Sequence, residues 1–248
     1  MINILINGFN GRMGQEVFKA INISPEFNVC CCVDKNTITD LDIPVYSNYL
    51  NIREKPDVII DFSVPESSFS ALKYAKNNYI PIVIATTGFS LSELNLIKIF
   101  SKYIPIFQSS NMSFEINLLA NIVSNLATKL ENSNIEIVDV HHKNKIDSPS
   151  GTALFLADKI NSAFDNKMSY SFDRHSVRKP RLVNEIGIHS IRGGTEIGKH
   201  TVMFLGEDES FEITHIANSR SVFAKGSLKA AKLLVNQKVG FYTMDDLL

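Results

Sequence analysis

Short β-rich runs alternate with amphipathic stretches through the first part of the chain. Ile2 to Ile6 reads as a strand, a helix follows to about Ile23, and Phe27 to Val33 reads as a second strand, which makes one βαβ unit. After a variable stretch come the strand Val58-Ile59-Ile60-Asp61-Phe62, a helix through Leu72 and Ala75, a strand from Ile80 to Ala85, a helix from Leu91 to Tyr103 and a strand from Ile104 to Phe107. Strands separated by helices predict a parallel, doubly wound sheet. Past Asn111 the rhythm changes to a helix from about Asn117 to Leu130, the strand Ile135 to Val140, a polar loop and a helix from Thr152. Three strands then follow without helices between them: Gly187 to Ile191, Thr201 to Leu205 and Phe211 to Ala217. Hairpin-like succession predicts a mixed or antiparallel sheet, and with it a second domain. From Val222 to Val235 the chain is helical again, with Leu228, Ala231, Leu234 and Val235 on one stripe that can return to cover the first domain.

Bulk composition narrows the partners. The 248 residues are 44% hydrophobic and 21% charged, enough for one large globular domain or two small ones. With 25 basic against 26 acidic residues there is no global field to attract nucleic acid or an anionic membrane, and neither is an expected partner. The opening Met1-Ile2-Asn3-Ile4-Leu5-Ile6 has no basic leader and reaches Asn7-Gly8 too soon for a signal-peptide core, and no later apolar run approaches membrane-spanning length, so a cytoplasmic location is expected. The three cysteines are consecutive, Cys30-Cys31-Cys32, a spacing that suits neither a zinc site nor a disulfide framework. They read as filling for a buried strand, and no metal is expected.

Directly after the first strand comes Gly8-Phe9-Asn10-Gly11-Arg12-Met13-Gly14. Glycines there let the chain turn sharply, let its backbone approach a pyrophosphate, and let the following helix sit close to the sheet. The helix amino terminus then offers N–H groups and a partial positive charge to the phosphates. A glycine triplet alone also fits a plain turn, but the strand before it and the helix and strand after it point to a dinucleotide. Asp34 ends the second strand twenty positions after Gly14, where a carboxylate can accept hydrogen bonds from the adenosine ribose. Lys35 either pairs with a 2′-phosphate or is simply solvated, so NADH, NADPH or both remain open. Ala85-Thr86-Thr87-Gly88 and Ser109-Ser110-Asn111-Met112 end two further strands on the same rim, where ligands of open α/β sheets collect. The expected fold class is thus α/β, a Rossmann-type parallel sheet (residues 1–111 and 222–248) with an inserted α+β domain (residues 112–221), and the substrate is expected in the cleft between them.

The most unusual segment is His141-His142-Lys143-Asn144-Lys145-Ile146-Asp147-Ser148-Pro149-Ser150-Gly151-Thr152-Ala153, which leaves a strand, concentrates basic residues and enters a helix. Ser150, Gly151 and Thr152 at the helix start can present N–H groups and a hydroxyl to a carboxylate, and Lys145 adds a compact positive charge, so paired carboxylates on a substrate would explain both features. A histidine here can supply or take the proton that must accompany hydride transfer to a carbon–carbon or carbon–nitrogen double bond. A strand-end cap and a phosphate loop remain alternatives. A metal shared by His141 and His142 is disfavoured, because adjacent strand residues point to opposite faces.

These residues together resemble the dihydrodipicolinate reductase family. The resemblance rests on the Gly-Arg-Met-Gly core, Asp61-Phe62-Ser63, Thr86-Thr87-Gly88, Asn111-Met112-Ser113, and above all the double-histidine loop through Pro149-Ser150-Gly151-Thr152-Ala153. It continues through Arg192-Gly193-Gly194, Gly198-Lys199-His200-Thr201, Ile213-Thr214-His215, Ser219-Arg220, Phe223-Ala224 and Met244-Asp245-Asp246-Leu247. The resemblance implies reduction of 4-hydroxy-tetrahydrodipicolinate to tetrahydrodipicolinate, with loss of water, by NADH or NADPH on the diaminopimelate route to lysine. It implies that Gly8, Phe9, Asn10, Gly11, Arg12 and Met13 hold the pyrophosphate, that Asp34 holds the adenosine ribose, and that Ala85, Thr86, Thr87, Ser109, Ser110, Asn111 and Met112 line the nicotinamide side. His141 would be the proton donor or acceptor and Lys145 the second proton donor; His142 would contact the substrate, and Gly151 with Thr152 would hold one of its carboxylates. It also implies a homotetramer associated through the sheets of the second domains.

Four departures from the family pattern stand out: Ala85 replaces the usual glycine, Lys143 and Asn144 replace arginine and histidine, Phe114-Glu115 replaces smaller residues, and the stretch from Asp34 to Val58 is short. A dehydrogenase acting on aspartate or homoserine would share the sheet and glycine turn but would not need the double-histidine loop. A sensing or assembly protein would keep the fold and turn over nothing.

Overall fold

The computed structural model describes residues 1–37, 40–130, 132–176 and 178–248. The strands are β1 (Ile2–Asn7), β2 (Phe27–Val33), β3 (Val45–Tyr46), β4 (Val58–Asp61), β5 (Ile82–Ile84), β6 (Pro105–Gln108), β7 (Asn134–His141), β8 (Ser169–Ser171), β9 (Glu185–Arg192), β10 (Gly198–Leu205), β11 (Ser210–Ala217) and β12 (Gly240–Tyr242). The helices are α1 (Arg12–Asn22), α2 (Pro65–Asn78), α3 (Leu91–Phe100), α4 (Phe114–Lys129), α5 (Gly151–Ser162) and α6 (Ser221–Leu234). Two compact units result, Met1–Phe114 with Arg220–Leu248, and Glu115–Ser219.

The first unit is the Rossmann-type α/β layer read from the sequence: a seven-stranded sheet in the order β12-β6-β5-β4-β1-β2-β3, every pairing parallel. Alternate residues serve its two faces. Ile4 and Ile6 join Val17, Ile21, Val58, Ile60 and Phe107 in one core, while Leu5 joins Ile59, Ile82, Ile84, Leu72 and Ile97 in the other. Burial on both sides is why these strands read as continuous apolar runs. α6 returns to the first core through Leu228, Ala231 and Leu234, as its stripe predicts. Cys31 and Cys32 are buried in β2 and Cys30 is half-buried, all as free thiols. Phe107 is fully buried. Phe107→Ala should cost about 3–5 kcal/mol, seen as a lower denaturant midpoint.

The second unit has a mixed five-stranded sheet in the order β11-β10-β7-β9-β8. β7 runs parallel to β9, and β10 lies antiparallel to both β7 and β11. α4 and α5 cover one face with Ile116, Val123, Leu156 and Ile160 against Ile135, Ile137, Ile188, Val202 and Phe204.

Several boundaries differ from the periodicity, for local reasons. The Ile80 amide closes the end of α2 on the Ala75 carbonyl (2.9 Å) and Pro81 has no donor, so β5 starts at Ile82. α3 begins in a capping box of Ser90 and Glu93 and ends at Phe100, after which the chain continues as hydrogen-bonded turns to Tyr103. The strands β3, β8 and β12 have only two or three residues each, too few to carry a measurable period. Phe114 opens α4 with its ring under the Lys229 ammonium (4.2 Å) and packs on the first core, which accounts for a large residue there. Of the short stretch after Asp34, Ile38 and Thr39 lie outside the described residues.

Candidate active site

In the first unit the glycine turn is built to bring backbone together. Gly8 sits at φ +82, and a Cβ there would lie 2.5 Å from the Phe62 carbonyl oxygen. A Cβ on Gly14 would lie 2.2 Å from the Gly8 carbonyl oxygen, so the first turn of α1 can rest on the turn only with glycine. Gly11 is the N-cap of α1 and no side chain caps it, which leaves the helix end for an external anion. Arg12 is exposed and Met13 half-buried on that end. Phe9 behaves differently from its neighbours: its ring is buried edge-on to Phe18, so only its main chain belongs to the turn.

Asp34 accepts hydrogen bonds from the amides of Asn10 (2.9 Å) and Asn36 (3.1 Å), which ties the glycine turn to the end of β2. Each carboxylate oxygen keeps lone-pair capacity for a ribose hydroxyl. A cradle that excludes Cβ atoms, an uncapped helix amino terminus and a carboxylate at the second strand end all fit a dinucleotide.

The remaining rim residues divide into those that face solvent and those that hold the rim. Ala85 is buried in the first core, so its methyl group is absorbed by packing rather than standing in the rim. Thr86 is buried and donates to Asp61 (3.0 Å) while accepting from the Ser63 amide (2.8 Å); Thr87 is exposed. Asp61 also receives Asn7, Ser63 and Ser68, so one buried carboxylate joins the carboxyl ends of β1, β4 and β5. Burial pushes its carboxyl up and these donors pull it down, with burial the larger. Ser109 accepts from the Asn111 amide and donates to its carbonyl, Ser110 is exposed, and the Met112 side chain is part of the core.

In the second unit β7 leads into the double-histidine loop. Ile135, Ile137, Asp139 and His141 are its buried positions, two residues apart, so the inward face turns from apolar to polar at the strand end. Register sets His200 of β10 opposite Asp139 and Arg192 of β9 opposite His141. Arg192 donates to Asp139 Oδ1 (2.6 Å) and to the Asp147 carbonyl (2.7 Å), and the Ser150 amide donates to Asp139 Oδ2 (2.6 Å). Burial pushes the Asp139 carboxyl up, but Arg192 and the Ser150 donors outweigh it and hold it at about 2. Ser150 caps α5 by accepting from the Ala153 amide and bonds His200 Nε2 (3.1 Å). Desolvation, reinforced by His141, holds the His200 imidazole down at about 3, so it stays neutral.

His141 is buried, its ring edge-on to that of His200 at 5.1 Å. Desolvation and then the Lys145 charge lower its pKa, and Asp139 opposes them. Lys145 pairs with Asp147 at 2.7 Å, and its amide bonds the His142 carbonyl, which brings the ammonium back toward the strand end. His142 is half-buried, Lys143, Asn144 and Gly151 are exposed, and Thr152 is half-buried at the start of α5. Asp139, His141 and His200 bring metal-ligand-type atoms within 4.8 Å of one another, but the Arg192 guanidinium already serves as the cation of this cluster. His141, Lys145 and Thr152 are the residues here to which the sequence points, whereas it assigns no role to Asp139, Arg192 or His200. The i, i+2 spacing of Asp139 and His141 was the available signal; pairing with β9 and β10 was not legible.

No helix among the described residues is long and apolar enough to cross a membrane. The family model described as "Dihydrodipicolinate reductase, N-terminus" matches residues 2–112, and "Dihydrodipicolinate reductase, C-terminus" matches residues 115–248. The chain is 50% identical over 247 residues to a 4-hydroxy-tetrahydrodipicolinate reductase of Caldanaerobacter subterraneus subsp. tengcongensis, covering 100% of this chain and 98% of that one. It is 43% identical over 249 residues to the enzyme of that name from Clostridium tetani, covering 100% and 97%. Among solved structures it is similar to a dipicolinate-bound dihydrodipicolinate reductase from Paenisporosarcina sp. TG-14, with TM-score 0.82, 25% identity and complete coverage of both chains. With both family models matched end to end over the two units, the chain belongs to the dihydrodipicolinate reductase family.

Proposed function

We propose that the protein reduces 4-hydroxy-tetrahydrodipicolinate to tetrahydrodipicolinate and water in the diaminopimelate and lysine pathway, in the cytoplasm. The observation that carries this reading is the second-unit site, where a buried histidine, a lysine and the amino terminus of α5 converge on one strand end. A pyridine nucleotide, when bound, supplies the hydride.

Gly8, Phe9, Asn10, Gly11, Arg12 and Met13 hold its pyrophosphate, through the main chain in the case of Phe9, and Asp34 holds the adenosine ribose. Ala85, Thr86, Thr87 and Ser109 to Met112 line the nicotinamide side, Ala85 and Met112 by main chain. Asp34 favours NADH through its ribose bonds, and Lys35, exposed beside it, favours NADPH.

Lys145 has three donors and Asp147 uses one, so the ammonium can also take a substrate carboxylate. The α5 end at Gly151 and Thr152 takes the other, and His142 contacts the ring. His141 exchanges the proton that balances hydride addition, with Lys145 as second donor. In the free protein His141 is held below the usual histidine range. A dianionic ligand opposes that lowering, so His141 gains a proton as the substrate binds. Binding of dipicolinate near pH 7 should therefore take up protons, checked by calorimetry in buffers of different ionisation enthalpy; no buffer dependence would argue against this coupling.

Ile216 of β11, Lys199 of β10, Val140 of β7 and Ile191 of β9 form a row across the outer face of the second sheet, with both isoleucines about half exposed, which supports association of second units into a homotetramer. Light scattering tests it. The reaction is tested by loss of NADH and NADPH absorbance with the ring substrate generated in place from pyruvate and aspartate semialdehyde by a synthase. Cofactor binding without oxidation would move the function to another substrate or to sensing.

A further inference from the structure

Asp139 is wholly buried, ionised, and shared between three elements. Arg192 of β9 and the Ser150 amide of α5 each hold one of its oxygens at 2.6 Å, and the His141 Nδ1 atom of its own strand lies 3.9 Å from Oδ1. That nitrogen is sealed from solvent and has no hydrogen-bond partner. The contact is too long for a hydrogen bond, yet it brings a buried nitrogen beside a full negative charge in a medium that screens poorly. A lone pair on Nδ1 would face the carboxylate as a second acceptor, whereas an N–H there faces it with the positive end of its dipole. The other ring nitrogen, Nε2, lies over Gly198, where a Cβ would come within 3.1 Å of it. Glycine leaves that side of the ring uncrowded.

We propose that Asp139 is a positioning residue that sets the tautomer of His141, placing the proton of the neutral ring on Nδ1 and leaving Nε2 to exchange a proton with the substrate. Arg192 keeps the carboxylate ionised and in place and, through the Asp147 carbonyl, fixes the loop that carries Lys145. The charged and titratable groups around the ring are Asp139 on β7, Lys145 and Asp147 on the loop, Arg192 on β9 and His200 on β10. Lys145 and Arg192 disfavour a second proton on the ring, Asp139 and Asp147 favour it, and His200 is neutral. Of these, Asp139 is the one with an oxygen beside the sealed Nδ1, so the choice of tautomer falls to it. This role rests on the reading of His141 as the proton carrier.

The test is long-range proton–nitrogen NMR on full-length protein labelled with ¹⁵N-histidine, with His141 signals assigned by their loss in His141→Gln. The wild type should show the Nδ1–H form. Asp139→Asn should move population to Nε2–H and lower kcat by about 10–100-fold with KM little changed. It should also shift the pH profile of kcat/KM to lower pH, because the group that favours the protonated ring is gone. Asp139→Glu should restore both tautomer and rate in large part. If Asp139→Asn does not fold, the double variant Asp139→Asn with Arg192→Met removes both buried charges and carries the same measurement. An Nε2–H ring in the wild type, or an Nδ1–H ring that persists without the carboxylate, overturns the proposal alone. Wild-type turnover in His141→Gln overturns the proton role itself.

Discussion

His141→Gln should lower kcat by roughly 10²–10⁴-fold, the range set by loss of a positioned acid–base group. Glutamine keeps the size and hydrogen-bonding character of the ring but cannot carry a proton near neutral pH. KM should change little, because the proposed holders of the ligand carboxylates are Lys145 and the start of α5, whereas His141 is buried. Lys145→Ala should lower kcat comparably and also raise KM, since it removes charge from the ground state as well. Steady-state assays with both variants decide the matter, and unchanged turnover in each would remove these residues from the mechanism.

Gly14→Ala should have the other large effect, and it should fall on the first unit. The added methyl would lie 2.2 Å from the Gly8 carbonyl oxygen and 2.6 Å from that of Phe9, both main-chain atoms that cannot rotate away. α1 or the turn must therefore shift. The expected cost is about 1–3 kcal/mol of stability, as for other overpacked sites. A shift of that kind misaligns the amides meant for the pyrophosphate, so binding of NADH should weaken by roughly tenfold to a hundredfold. Thermal melting and fluorescence titration read the two effects separately. A variant that melts like the wild type and binds NADH equally well would show that the turn is not the cofactor cradle.

The two variants act on elements that differ in how plainly the chain announces them. The glycine turn is a local object: the strand before it, the close glycines and the helix after it lie within about a dozen residues, and the conformational demand that selects glycine acts on the residue itself. The same holds for the alternation of Ile4, Leu5 and Ile6 between two cores, for the Ser90 and Glu93 cap, and for Ser150 opening α5 after a basic loop. Each rests on interactions within a few positions, so the chain by itself determined the parallel sheet, the return of α6 and the place of the double-histidine loop.

What folding alone decided is long-range. β12 exists because Phe241 finds Ile106 across the sheet, and β3 because Val45 finds Cys32. The rim residues Phe9, Ala85 and Met112 turn their side chains into the core, a choice made by neighbouring helices rather than by their own motifs. Around His141, Asp139 was present two positions away, but its oxygens are filled by Arg192, 53 positions later, and by the Ser150 amide. His200 reaches Ser150 across 50 positions. Those pairings follow from the register of β7 against β9 and β10, and register is set by the whole sheet closing over its core, which no local run of residues records.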